Sequence, residues 1–312
     1  MNENIVEVSN FSYSYGELEA VKDISFQVKK GEVFSFLGPN GAGKSTVINS
    51  LITLLPLQKG TVQIAGYDLR TEQENVRQSI GIVFQKITLD KDMTVRETLE
   101  FHGSIYLMGG AEKKNRIIEL LKLVELTEKA DVLVSTLSGG MKRRLEIARG
   151  LMTRPKVLFL DEPTIGLDPQ TRRKTWEYLR SVNEEGTTVF LTTHYMDEAD
   201  LLSDQIALID HGKIVIQGTP AELKQSLGND IVYLETSDNT RATDILKNIA
   251  GVRNISCYEG KLLITSEYDG TRLLPEIIRE VNEGQIDVCA VNLKKPSMDD
   301  VFLHYTGTEM RD

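Results

Sequence analysis

The sequence predicts an α/β fold: a mostly parallel sheet covered by helices, followed by a small α+β domain. Through most of the chain short apolar strands alternate with helices, a pattern typical of parallel sheets with both faces covered. A glycine-rich loop joins one of these strands to its helix. After about residue 225 the order becomes β-α-β-β-α-β, which is typical of a ferredoxin-like unit. We therefore assign the two domains to residues 1–225 and 229–312.

The first domain begins with two segments that alternate apolar and polar residues, "IVEVSNFSYSY" and "AVKDISFQV", and these predict an antiparallel β subdomain. The apolar strand "EVFSFLG" and the helix "STVINSLITLL" follow. Helical periodicity from about residue 86 to residue 150 predicts a helical subdomain. The apolar segments "KVLFLDE", "TTVFLTTH" and "DQIALID" then add three strands to the sheet.

Composition narrows the class of protein. The net charge of −10 argues against nucleic acid as a main partner, because phosphate backbones bind basic surfaces. Eighteen consecutive apolar residues, the length that spans a bilayer, occur nowhere, and the N-terminus lacks the layout of a secretion signal. Two cysteines, Cys257 and Cys289, are too few for a disulfide framework. We expect an acidic cytoplasmic protein in which both thiols are buried or half-buried.

The glycine-rich loop carries the clearest chemistry. Its sequence, "GPNGAGKST", fits the pattern G-x-x-x-x-G-K-[ST] and lies between a predicted strand and a predicted helix. Glycines allow backbone N–H groups to surround phosphate oxygens, Lys44 is expected to reach the β- and γ-phosphates, and the Ser45 hydroxyl is expected to bind Mg²⁺. The predicted nucleotide-binding residues are Gly38, Pro39, Asn40, Gly41, Ala42, Gly43, Lys44, Ser45 and Thr46.

Polar residues follow three other apolar strands, and ligands of open α/β sheets bind at the carboxyl ends of strands. Asp161 is a candidate Mg²⁺ carboxylate, direct or through water. Glu162 is the candidate general base for water attacking the γ-phosphate. His194 is the candidate hydrogen-bond donor to that phosphate. Together with Lys44, Glu162 and His194 form the predicted catalytic set.

Two candidate site residues, Gln85 and Tyr15, each have a second possible role. The amide of Gln85 either ligates Mg²⁺ or caps the segment that follows it. Tyr15 either stacks on the adenine ring or is an ordinary strand aromatic in a core or on a surface.

The segment "TLSGGMKRRLEIARG" predicts a helix that opens at Ser138, a favourable N-cap. A helix N-terminus attracts anions, yet Lys142, Arg143 and Arg144 crowd this one, where the helix dipole is already positive. Such a cluster is destabilising unless a negative group lies nearby. The sequence therefore raises the question of which anion binds here.

With these motifs in order, the chain resembles the ATPases of the ATP-binding cassette (ABC) family. The resemblance covers the chain to about residue 225 and rests on the phosphate loop, Gln85, "LSGGM", "LFLDEP", "GLDP" and His194. It implies a P-loop NTPase cassette with a mostly parallel sheet core, an N-terminal antiparallel β subdomain and a helical signature subdomain. Met141 stands where many members have Gln. A drug-resistance-type exporter branch is similar both there and in the tail "PSMDDVFLHYTG".

The resemblance implies that two cassettes pair head to tail. Ser138, Gly139 and Gly140 would then contact the ATP held by the other cassette's phosphate loop, which identifies the missing anion. It also assigns Asp168, in "GLDP", to communication across the dimer. The partner would be a second copy of this chain or a related cassette.

The function implied is that of an exporter's ATP-binding and ATP-hydrolysing subunit, with ATP and Mg²⁺ as cofactors and separate membrane-spanning subunits as partners. It would act at the cytoplasmic face of the membrane, without binding nucleic acid. The alternative is a non-transport ABC ATPase of the translation or DNA-repair type. Translation-type members resemble two cassettes in one chain and repair-type members carry long coiled-coil insertions, and this sequence shows neither.

Two apolar surfaces carry further expectations. By resemblance, the stretch from Lys86 to Met108 forms a groove for a helix of the membrane subunit. The residues apolar enough to line it, or alternatively to pack the subdomain, are Phe84, Met93, Val95, Leu99 and Phe101. In the final helix, "SMDDVFLHY", Ser297 is the predicted N-cap, and one apolar face is expected to dock on the cassette or on the second copy.

Overall fold

The computed structural model describes residues 3–258, 260–266 and 270–307. The chain divides into two units, the first ending at Val215 and the second beginning at Ile216. Strands of the first unit are β1 (Asn4–Tyr15), β2 (Leu18–Lys29), β3 (Val33–Leu37), β4 (Lys59–Ile64), β5 (Tyr67–Asp68), β6 (Ile80–Val83), β7 (Val157–Asp161), β8 (Thr188–Thr193) and β9 (Gln205–Asp210), with β10 (Lys213–Gly218) crossing the division. Its helices are α1 (Lys44–Leu51), α2 (Gln73–Ser79), α3 (Val95–Ile105), α4 (Gly110–Leu123), α5 (Gly139–Gly150), α6 (Pro169–Glu184) and α7 (Met196–Leu202).

The predicted α/β class is confirmed in the first unit. A six-stranded sheet has the order β10-β9-β3-β8-β7-β6, and the pairs that β3, β7 and β8 form with one another and with β6 and β9 are parallel. A second, four-stranded sheet has the order β2-β1-β4-β5, with antiparallel pairs throughout, as the alternating N-terminal pattern predicts. A cluster of phenylalanines fills the core, with Phe34 and Phe190 stacked at 5.4 Å.

Two helices begin near the predicted residue but end earlier than the sequence pattern predicts. Helix α3 begins at Val95, the first residue of the predicted helix "VRETLEFHGSIYLM", where Thr94 and Glu97 form a capping box, but it ends at Ile105, short of the predicted end at Met108. Helix α1 ends at Leu51, short of the predicted end of "STVINSLITLL", and Thr53 has a positive φ of 67°. Both differences lie at the ends of helices, and hydrogen bonds made by the capping residues determine where a helix ends.

The second unit has the predicted β-α-β-β-α-β order. After α8 (Pro220–Ser226) come β11 (Asp230–Thr236), α9 (Asn239–Leu246), β12 (Val252–Tyr258), β13 (Lys261–Ser266), α10 (Gly270–Glu283), β14 (Val288–Lys294) and α11 (Met298–Thr306). Its antiparallel sheet has the order β12-β13-β11-β14. Residues of the sheet and of α9 and α10 form one apolar core.

The last helix packs within its own unit. Ser297 caps it through a capping box, as predicted. Val301 and Phe302 are buried, α11 contacts α8, and the Tyr305 hydroxyl lies 3.1 Å from Ser226 Oγ. Because of this packing, α8 belongs to the second unit, and the division falls earlier in the chain than the predicted break near residue 225.

The expectation that both cysteines are buried is wrong. Cys257 and Cys289 are exposed free thiols. They lie on β12 and β14, the two edge strands of the second unit's sheet, where the neighbouring strand and helices cover a side chain least. Within the described residues, no helix combines the length and the apolar character that crossing a bilayer requires.

Candidate active site

The glycine-rich loop connects β3 to α1 and depends on glycine at two positions of close approach. A Cβ on Gly38 would lie 2.2 Å from the carbonyl oxygen of Ile209, and one on Gly43 would lie 2.7 Å from that of Ala20. Gly43 also has a φ of 107°, a backbone conformation that L side chains rarely adopt. It precedes α1 as the N-cap without a side-chain cap, so the loop presents backbone N–H groups at the helix start.

Lys44 is the first residue of α1, and its side chain is folded back over the loop. Nζ donates to the carbonyl oxygens of Gly38 at 2.7 Å and Pro39 at 3.1 Å, and lies 3.4 Å from Oε1 of Glu162. Burial lowers the pKa of Lys44, and the Glu162 carboxylate opposes that shift. The loop's cation and the carboxylate at the end of β7 therefore form one buried pair.

Predicted side chains from three strand ends converge on the Glu162 carboxylate. Gln85 Nε2, beyond β6, donates to Oε2 at 3.0 Å. His194 Nδ1, beyond β8, lies 3.3 Å from Oε1 without being hydrogen-bonded to it. Lys44 approaches the same Oε1. Glu162 has a φ of 45°, in the left-handed region, so the backbone itself turns this carboxylate out of the strand direction.

Asp161 and Ser45 lie beside this cluster. Thr192 Oγ1 donates to Oδ1 of Asp161 at 2.6 Å, and the Ser45 hydroxyl is another hydrogen-bond partner of the carboxylate. Burial raises the pKa of Asp161, and the bond from Thr192 opposes the shift. Thr192, which also receives the Glu162 N–H at 3.1 Å, was missed by the sequence analysis because a threonine inside a strand gives no signal of its own.

The predicted magnesium ligands offer the right kind of atoms. Ser45 supplies a hydroxyl, Asp161 a carboxylate and Gln85 an amide whose nitrogen is bonded to Glu162, which leaves its carbonyl oxygen as the ligating atom. Hydroxyl, carbonyl and carboxylate oxygens are the donors that Mg²⁺ prefers. The donor set therefore fits Mg²⁺.

The residues predicted to contact ATP in trans form a separate group. Ser138 is the N-cap of α5, as predicted, and its Oγ accepts from the Met141 N–H at 3.3 Å. A Cβ on Gly140 would lie 2.4 Å from Cγ2 of Thr171 on α6. Asp168 caps α6 and accepts from the Thr171 hydroxyl at 2.6 Å, and this bond, above other local hydrogen bonds, lowers the pKa of Asp168.

Two of the three cations in the basic cluster of α5 have partners inside the fold, so the cluster does not by itself require an external anion, and contact of this helix start with ATP in trans stays a prediction. Arg143 is only 3% exposed and donates to internal carbonyl oxygens and to Glu146. Arg144 donates to the carbonyl of Val124 and to the Tyr178 hydroxyl. The physical reason is that α5 is buried on most of its circumference, so two of its three cations point inward.

The first unit also contains a groove of about 500 Å³ beside α3. Three of the residues predicted for it line it: Phe84, Met93 and Phe101. Val95 and Leu99 do not, because both are fully buried in the core of the helical subdomain. The other lining residues are Ile80, Gly81, Ile82, Thr88, Asp90, Thr98, His102, Ile105, Tyr106, Arg149, Gly150 and Thr153.

Tyr15, the predicted adenine contact, lies at the end of β1 and is 48% exposed. Its ring contacts Tyr13 edge-on at 4.9 Å. Adenine stacking at this position stays a prediction.

His102 in the groove gives a prediction about pH. Burial, assisted by Arg149, lowers its pKa from 6.5 to about 4. Between pH 6.5 and about pH 4, His102 is protonated in the unfolded chain but neutral in the folded chain. The free energy of unfolding therefore falls as the pH drops through this window. We expect the thermal midpoint of wild type to fall further from pH 7 to pH 5 than that of His102→Gln. Equal pH slopes in the two proteins would contradict the lowered pKa.

Two family models match the chain, one in each of its units. Residues 21–165 match a family model described as ABC transporter, and residues 218–306 match one described as the C-terminal domain of DrrA1-3-like ATP-binding proteins. The chain is 38% identical to the linearmycin resistance ATP-binding protein LnrL of Bacillus subtilis, over 99% of this chain and 100% of that protein. It is also 38% identical to the Nod factor export ATP-binding protein I of Sinorhizobium fredii, over 98% of this chain and 87% of that protein.

A solved structure shows the same fold. The dimeric, post-hydrolysis ATP-binding cassette MJ0796, bound to ADP and Pi, is 32% identical to this chain, with a TM-score of 0.62. The likeness covers 69% of this chain and 98% of that one.

Proposed function

Because this chain belongs to the ABC transporter family of ATP-binding proteins, we propose that its ATP hydrolysis drives export through separate membrane-spanning subunits. ATP binding and hydrolysis are the activity of the family. The observation that carries the proposal is the convergence of Lys44, Gln85 and His194 on the buried Glu162 carboxylate at the end of a parallel sheet. The names of the relatives, which refer to resistance and export, support export over a role in translation or DNA repair.

Each residue of the cluster has a role in this proposal. When ATP binds, Lys44 gives up its hydrogen bonds to the carbonyl oxygens of Gly38 and Pro39 and binds the β- and γ-phosphates instead. Glu162 accepts a proton from the attacking water, and His194 holds the γ-phosphate by a hydrogen bond. Mg²⁺, held by Ser45, Gln85 and Asp161, would neutralise charge on the phosphates.

A dimer completes the site. Ser138 and Gly139 are exposed and Gly140 is half-buried at the start of α5, whereas Lys44 and Glu162 are buried. That arrangement supports a site shared between two chains, each supplying a signature helix to the other's nucleotide, as does the likeness to a cassette that is itself dimeric. Asp168 would transmit the state of one site to the other. A second copy of this chain is the partner we propose.

The groove beside α3 is the surface proposed for the membrane subunit. Phe101, Ile105 and Tyr106, which line the groove, are 55%, 58% and 40% exposed, a concentration of apolar side chains that a partner helix would cover. The chain would then be held at the cytoplasmic face of the membrane through its partner.

Co-purification from detergent-solubilised membranes of the source cell, with the bound protein identified by mass spectrometry as a multi-span membrane protein, tests the proposal. Wild type should co-purify with it, whereas Phe101→Glu, which places a charge in the groove, should lose association while retaining its ATP hydrolysis. Ile118→Glu is the matched control, since Ile118 is 53% exposed on α4 and does not line the groove. The proposed partnership is refuted when wild type and Phe101→Glu bind the membrane protein equally, or when neither binds.

A further inference from the structure

Arg143 of α5 is a buried cation whose five N–H groups all have acceptors. Nε donates to the carbonyl oxygen of Pro163 at 2.6 Å, and Nη2 donates to those of Asp161 at 3.2 Å and Glu162 at 3.0 Å. Nη1 donates to the carbonyl oxygen of Phe84 and, at 3.1 Å, to Oε2 of Glu146. A planar guanidinium has five donors in a fixed geometry, so no other side chain could make this set of contacts.

Three of these acceptors belong to consecutive residues around Glu162, where the backbone is strained. Glu162 has a φ of 45°, which costs free energy for a residue with a side chain and persists only when its surroundings hold it. Its N–H is held by Thr192, and its carbonyl and those of Asp161 and Pro163 are held by Arg143. The guanidinium therefore fixes the turn that directs the Glu162 carboxylate.

The other side of the same guanidinium holds the segment that carries Gln85. Arg143 binds the carbonyl of Phe84, the residue immediately before it. Glu146, which is fully buried, pairs with Arg143 and also accepts from the N–H of Thr88 at 2.7 Å. One ion pair on α5 thus connects the Gln85 segment to the Glu162 turn.

We propose that Arg143, oriented by Glu146, is a positioning residue that holds Gln85 and Glu162 in the relative placement that hydrolysis requires. The proposal rests on the proposed role of Glu162. A general stabilising role does not account for the arrangement, because replacing a buried ion pair by apolar side chains is often neutral or stabilising. What the pair supplies here is five directed contacts to the two segments that bear the reacting groups.

The decisive variant is Arg143→Lys, which keeps the charge but cannot span both segments. We expect kcat for ATP hydrolysis to fall by about 10- to 100-fold, as a misplaced catalytic group does. The affinity for ATP should remain near that of wild type, because Lys44 and the glycine loop are untouched. Arg116→Lys is the matched control: Arg116 is 5% exposed and also donates to a carbonyl, that of Leu151, away from the site.

Two further variants keep the test decisive if the lysine variant does not fold. Glu146→Gln preserves shape and should lower kcat with little change in ATP affinity. Arg143→Ala should regain part of its kcat when guanidinium is added at millimolar concentration, whereas sodium chloride of equal ionic strength should not restore it. A kcat near that of wild type in Arg143→Lys or Glu146→Gln, with stability lowered as in Arg116→Lys, overturns the proposal. Absence of hydrolysis in wild type would instead refute the proposed function.

Discussion

Glu162→Gln should reduce ATP hydrolysis by about 10²- to 10⁴-fold, the typical cost of losing a general base, and leave ATP binding intact. The amide has the shape of the carboxylate but cannot accept a proton from water. The contacts of Lys44 to the loop carbonyls do not involve Glu162, so the phosphate-binding loop should keep its form. With Mg²⁺ and ATP the variant should accumulate as an ATP-bound dimer, visible by size-exclusion chromatography.

Glu276→Gln provides the control for that experiment. Glu276 lies on α10 in the second unit, and its side chain is 44% exposed. The control should hydrolyse ATP like wild type and should not accumulate a dimer. Substantial turnover in Glu162→Gln would show that Glu162 is not the base.

The convergence at Glu162 could be predicted because each part has a local signal. Lys44 lies in a motif that identifies itself by spacing, and Gln85, Glu162 and His194 follow apolar strands. Parallel strands bring their carboxyl ends to one edge of the sheet, so the residues that follow these strands lie together in one site. That holds even for Gln85 and Glu162, which are 77 residues apart in the chain.

The neighbours of that site could not be predicted in the same way. Periodicity gave α5 an apolar face but could not show that Arg143 and Glu146 are buried as well, because a charged residue in a helix is normally solvated. Their partners lie on other strands and loops, which only the tertiary fold brings near. The one sequence signal is the spacing of Arg143 and Glu146, three residues apart on one helix face.

Apolar residues were ambiguous for a related reason. Phe101 and Leu99 are two residues apart on α3, yet Phe101 is exposed in the groove and Leu99 is fully buried. Hydrophobicity alone does not distinguish an apolar residue that is buried within the subdomain from one that is exposed on its surface. The division between the two units lies earlier in the chain than the sequence predicts, for a similar reason. No local sequence pattern shows that α8 packs against α11.

Ser138→Arg should sharply reduce ATP hydrolysis and dimer formation while ATP binding by the same chain remains. Ser138 caps α5 at an exposed position, whereas Lys44 and Glu162 form a buried pair, so we expect a bulky cation at residue 138 to obstruct a nucleotide presented by another chain. Loss of the cap alone should cost about 1 kcal/mol of folding stability. Thr219→Arg removes a cap of the same kind from α8 and should leave hydrolysis unchanged.

Mixing Ser138→Arg with Lys44→Ala tests whether the site is shared. Neither variant alone should hydrolyse ATP well, since Lys44→Ala lacks the cation for the phosphates. A mixed dimer places both changes in one composite site and leaves the other intact. With equal amounts and free exchange, about half of the dimers are mixed and each has one intact site of two, so about a quarter of wild-type activity should return if the two sites act independently. Normal hydrolysis by purified Ser138→Arg would rule out a signature helix acting in trans, because both composite sites of that dimer carry the obstruction.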